Sequence, residues 1–382
     1  MLRPTPTVRS VHAGRRARGH RIRAILLASF ASAVSAPGVA AQEPTRPDPA
    51  LTPEPYDAGW AFYLDNDALA LVNRDQQYTG GFALTLSGRR ALDYAISPMP
   101  ALQGIDRWLG LADLGDGERR NRAHALHFGM AAFTPEDIGT ARPLPEQRPY
   151  ASLAFVTATT RRALLDRDTV YQSSLLLGVL GSDIPASVQS AIHRNAGFQE
   201  ARGWDNQISD GGEPTAAYVA THYHTRAFET RPGWGDYQVQ TIAGAGIGAF
   251  TQAGVGVSLR YGEIRTPWWS YTPGYTEFIS LGPPLSARGM GGHLDSELYF
   301  TAGLSMRYRV YNALLQGQFR DSRVTYDRSQ LNEVLLELNL GVVAGITADT
   351  GVALVLNART PEISDPEEDT PLWGSLVLWR VF

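Results

Sequence analysis

The sequence predicts an all-β chain closed into a twelve-stranded antiparallel transmembrane β-barrel, with a short helix in an extracellular loop. Three observations predict it. Segments of about ten residues, each with one apolar and one polar face, recur an even number of times. The chain opens on an arginine-rich leader that reads as an export signal. It stops on a strand-like segment whose last residue is aromatic, Phe382, shortly after Trp379. Together these point to the outer membrane of a Gram-negative bacterium.

The leader comes first in the chain. Residues 1–41 hold seven arginines (Arg3, Arg9, Arg15, Arg16, Arg18, Arg21 and Arg23) and no acid. An apolar run from Ile25 follows, then the small residues Val39-Ala40-Ala41. A cleaved signal peptide over 1–41 is expected. Its removal takes the formal charge from −4 to −11, so the mature chain is acidic. Residues 42–57, rich in proline and acids, read as an extended segment, and 58–382 as the barrel. The 382 residues contain no cysteine, which excludes disulfides, zinc thiolates and a cysteine nucleophile. All 34 Lys+Arg residues are arginine. The charge balance gives no basis for a nucleic-acid partner. No other segment approaches the roughly 20 apolar residues of a membrane-spanning helix.

Twelve strands are expected near 58–66, 78–88, 122–133, 150–161, 168–180, 213–226, 235–248, 252–262, 295–311, 331–345, 350–360 and 371–382. In the first, Trp60, Phe62 and Leu64 alternate with Ala61, Tyr63 and Asp65. In the second, Phe82, Leu84 and Leu86 alternate with Gly81, Thr85 and Ser87. A barrel turns such apolar faces to lipid and leaves no open edge. In the last strand Arg380 shares the parity of Phe382, a place where an arginine can snorkel to the interface. Counting from a periplasmic N-terminus puts 67–77, 134–149, 181–212, 249–251, 312–330 and 361–370 outside. Two long segments, 89–121 and 263–294, then fall on the periplasmic side. Of the loops, only 184–196 has helical character, opening at Pro185 and stopping at Gly197. Gln189 and His193 then share a helix face.

The outward segments carry the unusual polar residues. Strand one ends Asp65-Asn66-Asp67, and strand two is entered through Asp75-Gln76-Gln77-Tyr78-Thr79. With Trp60, Phe62 and Leu64, and Phe82, Leu84 and Leu86, facing lipid, parity puts Asp67 and Thr79 in the lumen, close together near the outer rim on hairpin partners. Such oxygens suit a hard cation such as calcium, or simply hydrogen-bond each other. His193 is a general-base candidate or part of a helix packed on the rim. His222 and His224 share a face and read as metal ligands or lumen polarity. No phosphate loop, zinc motif or serine elbow is present.

At these blocks the sequence resembles the outer-membrane lipid A 3′-O-deacylases. The resemblance rests on Asp65-Asn66-Asp67, Asp75-x-x-Tyr78-Thr79-x-Gly81, Phe133-Thr134-Pro135 with Arg148-Pro149-Tyr150-Ala151, Gln189-x-x-x-His193, and Gly203-Trp204-Asp205-Asn206-Gln207. The blocks lie in the family's order. The resemblance implies an esterase that depends on Ca²⁺ and acts on lipid A of lipopolysaccharide. Asn66, Asp67 and Thr79 match its cation and oxyanion side, with Asp67 and Thr79 as metal ligands. Gln189 and His193 match its base side, and Arg148 and Tyr78 its substrate contacts. Some members use a lysine after strand three; here the loosely aligned position is near Thr140, and Arg148 carries the charge. A monomer is the expected state. A non-catalytic porin or structural barrel and an outer-membrane phospholipase are the alternatives.

Overall fold

The computed structural model describes residues 54–70, 79–114, 120–196, 199–231, 235–270, 297–347, 349–365 and 369–382. The expected signal peptide, 1–41, lies outside the described residues. Twelve antiparallel strands form one closed barrel. They are β1 Gly59–Asn66, β2 Gly80–Ser87, β3 Arg120–Phe133, β4 Ala151–Leu164, β5 Thr169–Leu180, β6 Glu213–Arg231, β7 Gly235–Gly248, β8 Phe250–Glu263, β9 Leu298–Asn312, β10 Val334–Gly345, β11 Thr350–Arg359 and β12 Leu372–Val381. Each pairs with its chain neighbour, and β1 pairs with β12 from Gly59↔Val381 to Asn66↔Gly374. At that seam Gly59 has φ +143°, and a Cβ there would meet the Arg380 carbonyl oxygen at 2.3 Å. Only glycine lets the two ends of the sheet close at this point.

The alternation read from the sequence holds around the wall. Leu84, Leu177, Val255, Phe300, Leu340 and Leu354 are exposed on the outer register, where lipid covers them. The inner register is polar and aromatic and is packed rather than open. Arg161, Tyr223, Phe250 and Arg260 are each only 1% exposed. Thr85, His127, Thr159 and Ser174 form a hydrogen-bonded belt across β2 to β5. A luminal void between β6 and β9 holds only about 60 Å³. At the periplasmic end Arg380 stacks its guanidinium over Phe382, 5.7 Å from the ring centroid.

The expectation of a single helical loop needs correction. The helix expected at 184–196 is present, but two more occur among the described residues: α1 (Met99–Trp108) in the long periplasmic-side segment, and a single turn, Ala313–Gln316, after β9. Pro98 and Pro100 open α1, the Ser97 hydroxyl accepts from the Met99 N–H at 3.2 Å, and Gly110 follows it at φ +71°. Met99 and Leu102 are buried against Leu126 and Ala158, which belong to the outward register of β3 and β4. The helix therefore packs on the outside of the barrel wall. Asp106 pins it there: its carboxylate accepts from Arg162 at 2.6 Å, Ser173 at 2.7 Å and Tyr218 at 3.0 Å, on β4, β5 and β6. Trp108 and Ile96 stay exposed at this end, as aromatic and apolar anchors of a membrane interface do.

Asp106→Ala would leave the Arg162 guanidinium buried on a lipid-facing wall without its counter-charge. A loss of about 3–5 kcal/mol is expected, read as a lower unfolding midpoint in urea or a lower temperature of the barrel's gel-mobility shift. An unchanged midpoint would show that α1 is dispensable to the wall.

Candidate active site

The candidate site is assembled at the outer ends of β1, β2 and β3. β1 runs out at Asn66 and turns into a 3-10 turn, Asp67–Ala70. Asp67 is 3% exposed. The Asn66 amide donates through Nδ2 to the Thr79 carbonyl at 2.9 Å, across the mouth of the hairpin. Gly80 makes this approach possible: at φ +142° its missing Cβ would lie 2.5 Å from the Asp65 carbonyl oxygen and 3.3 Å from Asn66 Nδ2. The Thr79 and Thr134 hydroxyls are hydrogen-bonded at 2.6 Å, tying the start of β2 to the residue after β3. Tyr78, expected beside them, lies outside the described residues.

The second half of the site is carried by α2 (Asp183–Ala196). Ala186 packs with Ala132, Ile138, Tyr150, Ala201 and Trp204. Ala132 belongs to the outward register of β3, two residues before Thr134. The helix therefore leans on the lipid side of the wall next to the Thr79–Thr134 contact. Gln189 is buried, and its Oε1 accepts from the Trp204 indole N–H at 2.9 Å. An indole can only donate, so this bond fixes which way the amide points. Its Nε2 is buried with no hydrogen-bond partner. His193 is in α2, one turn after Gln189; its side chain lies outside the described residues.

The block around Trp204 was legible as a motif, yet its work is visible only in three dimensions. Trp204 packs on Tyr150 with ring centroids 4.9 Å apart. A Cβ on Gly203 would meet the Tyr150 ring at 2.4 Å. Asn206 donates to the Ala141 carbonyl at 2.9 Å and accepts from Arg323 at 2.8 Å. Gln207 accepts from Ser152 at 2.9 Å, and the same Ser152 hydroxyl reaches the Ser182 carbonyl at 2.8 Å, just before α2. These residues seat the helix that carries Gln189 and His193.

Arg148 is on the inner side of the rim. It donates to Glu362 at 2.7 Å and stacks over Phe133 at 4.5 Å. Arg309 also donates to Glu362, and Arg359 Nη1 stands 3.7 Å from it. Arg309 stacks on Phe250 and Arg359 on Trp373. Glu337 binds Arg307 and Arg359 one level deeper. Four arginines thus share two glutamates at the mouth of the lumen. Arg148 is 4% exposed, and its Nε and Nη2 are buried without partners. Burial alone would raise the Glu362 carboxyl, but the guanidinium groups of Arg148, Arg309 and Arg359 outweigh it and hold the group below the usual carboxylate range.

The donors at Asn66, Asp67 and Thr79 are a carboxylate, a hydroxyl, an amide and nearby carbonyls. This is an all-oxygen set, the chemistry of a hard cation. Thr79 can donate to Thr134 and still offer a lone pair. The set carries one full negative charge, and among the described residues no three acid or histidine side chains cluster as a metal site. Oxygens of this kind would suit a hard cation such as Ca²⁺. His222 and His224 are on the outward register of β6, as Tyr218 is, so lumen polarity does not account for them.

A family model described as outer membrane protein LpxR matches residues 25–382. The chain belongs to that family. It is the family of lipid A 3′-O-deacylases that the blocks resemble, and it places this member in the outer membrane as a multi-pass β-barrel. LpxR from Salmonella typhimurium superposes with a TM-score of 0.64 at 16% identity, covering 85% of this chain and 100% of that one. An outer membrane channel from Pseudomonas putida F1 gives 0.41 at 10% identity, covering 90% and 100%. The β domain of the Bordetella autotransporter BrkA gives 0.39 at 11% identity, covering 86% and 100%. Comparison with curated protein sequences finds no match.

In this family member the Glu362 contacts join the loop after β3 to the loop after β11. Glu362→Gln should cost about 3–5 kcal/mol, since the buried guanidinium groups of Arg148 and Arg309 lose the carboxylate they donate to. A carboxylate held below its unfolded pKa stabilises the fold above that pKa and loses the effect as pH falls through its folded value. The gap between wild type and Glu362→Gln in urea unfolding should therefore be full at neutral pH and close only in strong acid. A gap that is absent at neutral pH would contradict the assignment.

Proposed function

We propose that this protein hydrolyses an ester-linked acyl chain of lipid A at the 3′ position, using water activated by His193. The observation that supports the reading is that Asn66, Thr79 and Thr134 are hydrogen-bonded in series at the outer ends of β1 to β3, while α2 packs on Ala132, two residues before Thr134. An ester in the outer leaflet reaches that rim without leaving the bilayer.

His193 in its neutral form takes a proton from water, and the oxygen attacks the ester carbonyl carbon. The carbonyl π electrons move onto oxygen and form the tetrahedral oxyanion. The backbone N–H near Asn66 shares that charge. Collapse breaks the bond to the sugar oxygen, which leaves as the alcohol with the proton returned by His193. Gln189 is held by Trp204 through one lone pair of its carbonyl; the second can take an imidazole N–H and keep the opposite ring nitrogen bare. Ca²⁺ held by Asp67 and Thr79 would polarise the ester carbonyl as a Lewis acid. Tyr78, by its motif, would contact the substrate. Arg148, being buried, acts on the anionic headgroup through its charge from beneath the rim rather than by a bidentate contact.

His193→Ala should fold normally and lose about 10²–10⁴-fold in lipid A deacylation by the purified, detergent-solubilised enzyme. Wild-type activity should rise with pH through the imidazole range, near ~6.5 when unperturbed, and then level off. Near wild-type turnover in folded His193→Ala would overturn the base assignment.

Asp67→Ala should abolish activity, and chelation of calcium should silence the wild type; full activity in excess chelator would refute the cation. Trp204→Phe keeps the stacking on Tyr150 but frees the Gln189 amide. A fall in kcat of about fivefold to tenfold is expected with KM unchanged. A change in KM alone would place Gln189 in binding instead.

A further inference from the structure

We propose that a groove on the lipid-facing wall, crossing β12 to β8, seats an acyl chain of the lipid whose ester reaches the rim site. This rests on the deacylase reading above and adds where the chain lies. The groove has a volume of about 580 Å³, and no charged side chain lines it.

It begins at the candidate site. Leu69 lines its upper end and sits on the same 3-10 turn as Asp67. That turn presses onto β12 at Gly374, where a Cβ would come 2.5 Å from the Leu69 Cβ. From there the groove follows one row of strand partners: Gly374↔Leu356, Leu356↔Leu340, Leu340↔Ala302 and Ala302↔Leu259.

Because the strands are staggered, this row descends through the bilayer. Gly374 is the third residue from the outer end of β12, and Leu356 the fourth from the outer end of β11. Leu340 is in the middle of β10. Ala302 and Leu259 are each the fifth residue from the periplasmic ends of β9 and β8. The path runs from the rim towards the membrane interior, the direction an outer-leaflet acyl chain must take. Four strand-to-strand steps of about 4.8 Å make it about 19 Å long. Gly374 and Ala302 are low points along the row, and Leu340 and Leu356, each about half exposed, give it an apolar surface between them. A second outer groove of about 580 Å³, over Ala220, Ala243 and Ala245, begins beside Leu111 and includes none of the rim residues. It serves as the control.

The test uses synthetic lipid A analogues that differ only in the length of the 3′ acyl chain. Ala302→Trp should lower kcat/KM for long-chain analogues by about tenfold or more, through lost methylene contacts, and leave short-chain analogues unchanged. Ala243→Trp should change neither. Equal loss at every chain length, or a wild-type profile in Ala302→Trp, would overturn the groove.

A second measurement does not depend on turnover. An analogue with a photoreactive group at the acyl terminus is bound to the full-length protein and irradiated. Mass spectrometry should place the cross-link near Ala302 and Leu259; cross-links at the Ala243 groove, or spread over the wall, would overturn the proposal. If wild type cleaves no analogue yet the cross-link falls at Ala302, the deacylase reading fails and the groove stands.

Discussion

The structure depends on the closure of β1 onto β12. In a bilayer an open strand edge would leave a row of backbone donors and acceptors with no water to satisfy them. Closure removes the edge, and the register it imposes decides where chemistry can sit. Because Asn66 pairs with both Gly80 and Gly374, the end of β1 is held between β2 and β12. On one side that end is hydrogen-bonded to the Thr79 carbonyl. The other side is the turn bearing Leu69, which rests on Gly374. A one-residue slip would exchange the lumen and lipid faces of both neighbours.

Charge is distributed unevenly over this frame. The lumen mouth holds buried arginines in excess over glutamates; all four share a carboxylate, and Arg148, Arg309 and Arg359 also stack on an aromatic ring. Buried pairs of this kind cost desolvation and repay it only with good geometry. Their effect here is to join loops that are far apart in sequence: Arg148 and Glu362 are separated by 214 residues. The same device recurs on the opposite face of the wall, where Asp106 fastens α1 through three strands. Both clusters fix the wall from which the rim site is built.

Much of the frame was legible because alternation is a local signal. Each strand of β1 to β12 announces its two faces within ten residues, and the predicted and observed bounds differ mostly by a few positions. Gln189 and His193 were legible because their spacing is one helical turn. Helix α1 was not, since its apolar contacts are few and prolines flank its start; it makes sense only against the outward faces of β3 and β4. The roles of Trp204 and Gln207 were hidden for another reason. Their partners, Gln189 and Ser152, are brought to them by the fold. Glu362 left no local trace, because its environment comes from three other segments.

The rim site is proposed to remove an acyl chain from lipid A. Mass spectrometry of lipid A from cells with and without this protein tests it most directly. A species lighter by one 3′-linked acyl group is expected only when the protein is present. Identical lipid A spectra, with the barrel folded in the outer membrane and calcium supplied, would contradict it.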